Sequence, residues 1–227
     1  MSFIKKVVVV GAGGFGREVI EIFKDLNSVS EEWDVLGFID DTVSLWGKEI
    51  NGKPVLGGLD WLIENREDVG CVVAIGDPQS KKIVTERLEQ HDITYYNAIH
   101  PSVIKSEFVT FGKDVIICAG VILTVNISIG DHVCINLNST VGHDAVIENH
   151  CSIMPNVTIS GNDNIGKYSY IGTGATIIER INIGVNSTIG AGAVVVKDIP
   201  DNVVAVGIPA KIIKNKEIHY NNQVIKV

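Results

Sequence analysis

The chain has no long apolar run. Its opening apolar stretch, Val7–Val10, is too short for a signal peptide, and no segment approaches the length of a membrane span. Cysteine is sparse: Cys71, Cys118, Cys134 and Cys151 show neither C-x-x-C spacing nor a metal-ligand pattern. Four such thiols argue against a disulfide framework and lead us to expect a reducing, cytoplasmic setting. Basic charge is in deficit. With 19 Lys and Arg against 27 Asp and Glu, the net charge is −8, so neither nucleic acid nor an anionic membrane is expected as the main partner. At 227 residues, 45% apolar and 20% charged, the chain can bury one large core or two smaller ones.

The first hundred residues alternate between strand and helix patterns. Lys6–Val10 reads as a buried strand and runs into Gly11-x-Gly13-x-x-Gly16. Gly14–Leu26 has helical spacing through Val19, Ile20, Phe23 and Leu26. Val35–Ile39 reads as a second strand, ending in Asp40-Asp41, and Gly58–Asn65 as a short helix. Cys71–Ile75 reads as a third strand closed by Gly76, and Thr94–Ala98 as a fourth. Between them, Gln79–Gln90 reads as a helix with Ile83, Val84 and Leu88 on one face. This predicts a small α/β, Rossmann-like domain with a parallel sheet over residues 1–99. The glycine motif alone is weak evidence for a nicotinamide enzyme. Glycines before a helix suit any phosphate-bearing ligand, because backbone N–H groups and the helix dipole face it. A dehydrogenase would also need a second mononucleotide half.

From Val103 the period becomes six and holds without insertion for sixteen hexads, to Asp198. The third position is aliphatic or Phe in every hexad but the first, which has Lys105. The first position is Val, Ile, Ala, Ser or Cys in every hexad but one, which has Asp163. Alternating inward residues of this kind line the inner wall of a short strand. The sixth position is Asn, Gly, Asp or His except at Phe108, Tyr168 and Arg180. Those four types tolerate positive φ, so each hexad reads as a strand followed by a tight corner. Three hexads then make one triangular coil of eighteen residues, and residues 100–227 read as an all-β parallel β-helix with a C-terminal extension.

These features together resemble the hexapeptide-repeat acyltransferases, and within them the bacterial sugar acetyltransferases of the PglD and NeuD type. The resemblance rests on VGAGGFGREV, on FIDD at Phe38–Asp41, AIGD at Ala74–Asp77 and HPS at His100–Ser102, on the hexads, and on GIPAK at Gly207–Lys211. It implies a left-handed coil, although ordinary parallel crossovers are right-handed. It also implies a homotrimer with active sites at subunit interfaces, acetyl-CoA as co-substrate, and a nucleotide-linked sugar held by the N-terminal domain. The positions matching sugar-nucleotide contacts are Gly13, Gly14, Phe15, Asp40, Asp41 and Gly76. Those matching cofactor contacts are Asn136, Gly161, Thr173 and Ala191, with Lys211 facing CoA phosphates. Several members carry a second histidine nine residues after the base; this chain has Ser152 there, which can still hydrogen-bond the cofactor.

The hexad STVGHD contains the catalytic candidate. Its fifth position points outward and holds many residue types in other hexads, so the fold does not require His143. Asp144 occupies a corner position that suits Asp for backbone reasons alone. In the resembled enzymes a histidine followed by an acidic residue serves as general base and orienting partner. An imidazole, with an ordinary pKa of roughly 6.5, accepts the proton of an attacking amine or hydroxyl at neutral pH. A carboxylate beside it fixes the tautomer, and backbone N–H groups at a coil edge stabilise the oxyanion. His132 and His150 lie eighteen residues apart at sixth positions, on a different corner from His143, so the three do not converge and no metal is expected.

The leading expectation is therefore N-acetylation of the 4-amino group of a nucleotide-linked 4-amino-4,6-dideoxy sugar by acetyl-CoA, for surface polysaccharide or glycan assembly. The alternatives are O-acetylation of sialic acid or another sugar hydroxyl, a nicotinamide enzyme or redox sensor, and a catalytically silent binding scaffold.

Overall fold

The structure is a computed structural model that describes residues 4–216, together with the backbone of 218–220 and 223–225. The N-terminal domain is a five-stranded sheet with strands β1 (Lys5–Val10), β2 (Trp33–Ile39), β3 (Glu49–Ile50), β4 (Lys53–Gly57) and β5 (Gly70–Val73), in the order β3-β4-β2-β1-β5. Val7–Val10 at its centre are buried. The β-branched side chains of this run suit a strand covered on both faces. Helix α1 (Gly14–Val29) buries Val19, Ile20, Ile22 and Phe23 against the sheet. Helix α2 (Leu59–Glu64) follows β4, and α3 (Pro78–Leu88) follows β5. The hairpin between β3 and β4 turns at Asn51-Gly52, both at positive φ, the preferred chemistry of a two-residue turn. Strands β1, β2 and β5 are parallel, but successive strands are added on one side of β1 up to β4 and on the other at β5, and ligands of such folds bind at the strand ends beside that switch point.

Two sequence expectations are corrected here. Thr94–Ala98 is not a fourth strand of this sheet: only Tyr95 bridges to Cys71, while Ala98–Ile99 pairs with Ile116–Ile117 in the repeat region. The buried face of α3 is Pro78, Lys81, Thr85 and Leu88, and Ile83 is exposed. The helix presents polar side chains because its partner surface is polar.

The hexads form a triangular prism of two-residue strands, each paired in parallel with the strand eighteen residues away, as in Ile122↔Thr140↔Thr158. First and third positions fill the interior, from Val109 to Ala205. Every sixth position from Asp114 to Gly192 has φ between 55° and 74°, including Tyr168 and Arg180. The left-handed backbone disfavours those two side chains by about 1 kcal/mol each. They are held by the ladder: Tyr168 N donates to Asn149 O and Arg180 N to Gly161 O, both at 3.0 Å.

The prism has three faces. The first runs from Ala98–Ile99 through Ile116–Ile117, Cys134–Ile135, Ser152–Ile153, Tyr170–Ile171 and Thr188–Ile189 to the terminal strands Val203–Val206 and Lys211–Asn215. The second runs from Ile104–Lys105 to Val194–Val195 and contains Thr140–Val141. The third runs from Thr110–Phe111 to Asn182–Ile183. The N-terminal domain covers the first face, where Ile116, Cys118 and Cys134 join the core of Val19, Phe23 and Phe38. Lys81, 1% exposed, reaches into this junction and donates to His132 O at 2.8 Å and Ser152 Oγ at 3.3 Å. Beside it the rings of His132, His150 and Tyr168 lie over one another at 4.6–5.1 Å along the corner between the third and first faces, with Tyr95 edge-on to His132 at 5.2 Å. His150 Nε2 meets Thr85 Oγ1 at 2.9 Å, and His132 Nδ1 meets the buried Asp114 carboxylate at 2.8 Å.

Candidate active site

His143 lies on the corner between the second and third faces, the one the N-terminal domain does not touch. The strand Thr140–Val141 ends at Gly142, and the next two residues make the turn. The side chain at the fifth position is therefore thrown outward, and His143 is more than half exposed. Its Nδ1 meets Asp144 Oδ2 at 2.8 Å. Asp144 accepts from Asn126 Nδ2 at 3.1 Å through its other oxygen. A carboxylate only accepts, so Nδ1 carries a hydrogen, and Nε2 is the accepting nitrogen of the neutral ring. The hydrogen bond from His143, followed by that from Asn126, holds the Asp144 carboxyl below the usual carboxylate range. Its left-handed backbone, φ 60°, aims the carboxylate back at the ring.

The coil above supplies a floor for the imidazole. A β-carbon added to Gly161 would lie 2.5 Å from His143 Nε2 and 2.6 Å from Cε1. Asn162 N donates to His143 O at 2.8 Å, tying the two corners together. Gly161 N–H donates to no acceptor among the described residues. An accepting nitrogen and a backbone donor thus share one coil edge, as proton removal beside a developing oxyanion requires.

The other cofactor candidates divide between places. Asn136, Thr173 and Ala191 belong to the corner between the first and second faces, where Thr173 and Ala191 are exposed one coil apart. Asn136 is nearly buried and accepts the N–H of Leu137 at 2.7 Å. Lys211 is exposed at the start of the terminal strand Lys211–Asn215, next to Ala210, whose N–H donates to Val194 O. Ser152 is a correction. It points outward from the first face but is fully buried under Lys81, with Cys134 Sγ at 3.3 Å, so it faces the N-terminal domain and not a cofactor groove.

In the N-terminal domain the sugar-nucleotide candidates gather at the C-terminal ends of β1, β2 and β5. Gly13 caps α1 with no side chain of its own. Nothing lies within 4 Å of a β-carbon placed at Gly13 or Gly76, and only the tip of Arg17 approaches Gly14. Phe15 is half-buried and packs on the core. The two aspartates do local work. Asp40 accepts Ala12 N at 3.0 Å and Thr42 N at 2.9 Å. Burial pushes its carboxyl up, but those donors outweigh it and the net direction is down. Asp41 accepts Leu59 N at 2.8 Å at the start of α2, with Arg87 3.4 Å from its second oxygen. Both bonds order the loops around the glycine turn.

Sequence reasoning did not use Asn126, Gly142 or Asp163 at this site. Asp163 alone gave a signal, as the single acidic first position. Among the described residues, no group of three or more His, Cys, Asp or Glu side chains could hold a metal ion, and no helix is long and apolar enough to cross a membrane.

The chain is similar to known proteins in its N-terminal domain and over its whole length. Residues 6–88 match the family model described as the PglD N-terminal domain. Over the whole chain, perosamine N-acetyltransferase from Caulobacter crescentus, solved as a histidine-to-asparagine mutant with CoA and GDP-perosamine, is 33% identical. The match covers 93% of this chain and 98% of that one, at a TM-score of 0.86. The acetyltransferase domain of PglB from Neisseria gonorrhoeae is 33% identical over 92% of this chain and all of that one, at a TM-score of 0.85. WeeI from Acinetobacter baumannii is 33% identical over 93% of this chain and all of that one, at 0.82. No curated protein sequence matches the chain significantly.

Proposed function

Because the chain belongs to the hexapeptide-repeat sugar acetyltransferases, with their PglD-type N-terminal domain and left-handed β-helix, we propose that it acetylates the 4-amino group of a nucleotide-linked 4-amino-4,6-dideoxy sugar, with acetyl-CoA as donor. The observation that carries this is the His143–Asp144 pair on an exposed corner beside a free backbone N–H. His143 Nε2 takes the proton as the amine nitrogen attacks the thioester carbonyl carbon. The Gly161 N–H supports the oxyanion. The C–S bond then breaks, and the proton passes from the imidazole to the departing sulfur. The products are the N-acetyl sugar and CoA, with no acyl-enzyme.

The layout also favours an assembly of three chains. His143 and Gly161 occupy one corner of the prism, Asn136, Thr173 and Ala191 the next, and the glycine loop sits over the first face. Prisms packed side by side would bring a corner of each into one groove, so that each chain supplies one wall of its neighbour's site. The free buried thiols are in keeping with a cytoplasmic enzyme.

The test offers acetyl-CoA with GDP- and UDP-linked 4-amino-4,6-dideoxy sugars, and separately with free and nucleotide-linked sialic acids, and follows CoA thiol release. Turnover with the amino sugars and its loss in His143→Ala, with CoA affinity and assembly intact, is expected. Acetylation of the sialic acids alone, or an unchanged rate in the variant, would reject the proposal.

A further inference from the structure

The interior of the prism is apolar except where a first-position residue is polar. Three of these are serines with one shared role. The hydroxyls of Ser139 and Ser169 accept the N–H of the first-position residue one coil on, Val157 and Ser187, and that of Ser187 accepts Val203 N at the start of the terminal strand, all at 3.1–3.3 Å. Each also donates forward to a carbonyl, of Met154, Gly184 and Pro200 respectively. The fourth is Asp163, only 1% exposed. Its Oδ1 does the serine's work by accepting Ile181 N at 2.8 Å. Its Oδ2 does something the serines do not: it turns back and accepts Ser160 N at 3.0 Å, sharing that N–H with the ladder carbonyl of Ile177 at 3.2 Å and closing its own corner. That corner, 160–163, contains the Gly161 backbone under the His143 ring and the Asn162 N–H bonded to His143 O.

A buried carboxylate is costly and persists only with good partners. A serine would satisfy Ile181 without that cost, as it does in three other coils. The extra bond is made only where the coil stacks on the imidazole. We infer that Asp163 is a positioning residue for acetyl transfer: its carboxylate clamps the Ser160–Asp163 turn, fixing the surface on which the His143 ring rests and the direction of the Gly161 N–H. Burial, the first influence, raises its carboxyl to about 6, with the N–H donors opposing and Glu179 adding to the rise.

This rests on His143 acting as the base, and the experiment separates the two. Asp163→Ser keeps the acceptor for Ile181 and removes the side-chain acceptor of Ser160, leaving only its ladder bond to Ile177 O; Ser169→Ala removes a core hydroxyl of the same kind far from the site. Steady-state kinetics with acetyl-CoA and the nucleotide-linked amino sugar, thermal melting and CoA binding are measured on both. Asp163→Ser is expected to lower kcat by 10-fold or more while CoA affinity stays within 2-fold. Ser169→Ala should melt at a similarly changed temperature with kcat unchanged. Asp163→Asn, with a donor amide facing one of the two N–H groups, should lose kcat similarly and serves if the serine variant does not fold. If both fail to fold, amide exchange of the wild-type protein decides. Ser160, with the carboxylate added to its ladder bond, should exchange more slowly than Thr124 and Ile178, which hold the same ladder bond alone at this corner, and equal or faster exchange there would overturn the clamp. Wild-type kcat in a folded Asp163 variant, with His143→Ala inactive, would overturn the inference and leave the base intact. Activity in His143→Ala would instead reject the base.

Discussion

Replacing Gly161 by Ala tests the stacking of coil on imidazole with a single methyl group. The backbone φ of Gly161 lies outside the left-handed region, so Ala incurs no strain there and the smaller entropy of the unfolded chain changes stability by about 1 kcal/mol or less. The new carbon would lie 2.5 Å from His143 Nε2, whereas carbon contacts settle at roughly 3.5–4 Å. The ring must therefore withdraw by about 1 Å, and it can, because the side chain is more than half exposed. Withdrawal stretches the 2.8 Å bond to Asp144 and moves the accepting nitrogen off its line to the amine. A misplacement of that size is worth roughly 10²-fold in rate, or about 2.7 kcal/mol of barrier. The assay is kcat from CoA release, with melting temperature and CoA affinity as controls. Retention of kcat within 3-fold in a folded Gly161→Ala protein would refute the stacking argument.

Two further outcomes follow from the same geometry. Asp144→Asn should fold normally, since Asn occupies the same turn at positions 126, 138, 156, 162 and 186 with φ 55–59°; losing the carboxylate that fixes the tautomer should cost roughly 10–100-fold in kcat, measured by steady-state kinetics. His150 is driven down to about 4 by burial first, then by His132 and Lys81. An unfolded chain binds that proton more readily, so the stability from neutral His150 is full above about 6.5 and is lost as pH falls toward 4. The loss is at most about 3 kcal/mol and less after solvent screening; denaturant melts from pH 7 to 4 should show a shallower acid limb in His150→Asn than in wild type.

The repeat region was legible because each hexad position makes its own chemical demand: bulk at the third, positive φ at the sixth, freedom at the fifth. His143 stood out because only the fifth position was free. Tyr168 and Arg180 show where residue type yields to the ladder, adopting the same turn without the preferred chemistry. The dock between the domains was not legible. Lys81 and Thr85 look like the solvent face of α3, and their partners, His132, His150 and Ser152, lie far along the chain. Helical periodicity reports apolar faces, so it misassigned a face buried against carbonyls and imidazoles. Ser152 was a candidate for cofactor contact only through the position it shares with a second histidine of the resembled enzymes, and spacing along the chain does not show that α3 covers it. Asp40 and Asp41 were legible as strand-end acids, but their backbone partners in the glycine loop and α2 appear only in three dimensions.

The unbroken run of sixteen hexads makes the prism a reading frame. Deleting one residue would swap lining for rind in every rung downstream, whereas inserting eighteen would merely make the column one storey taller. Families built this way can vary freely in side chains at the corners yet lengthen or shorten only by whole storeys. A change of any other size must bulge outward at a vertex, and one vertex carries His143 and Asp144.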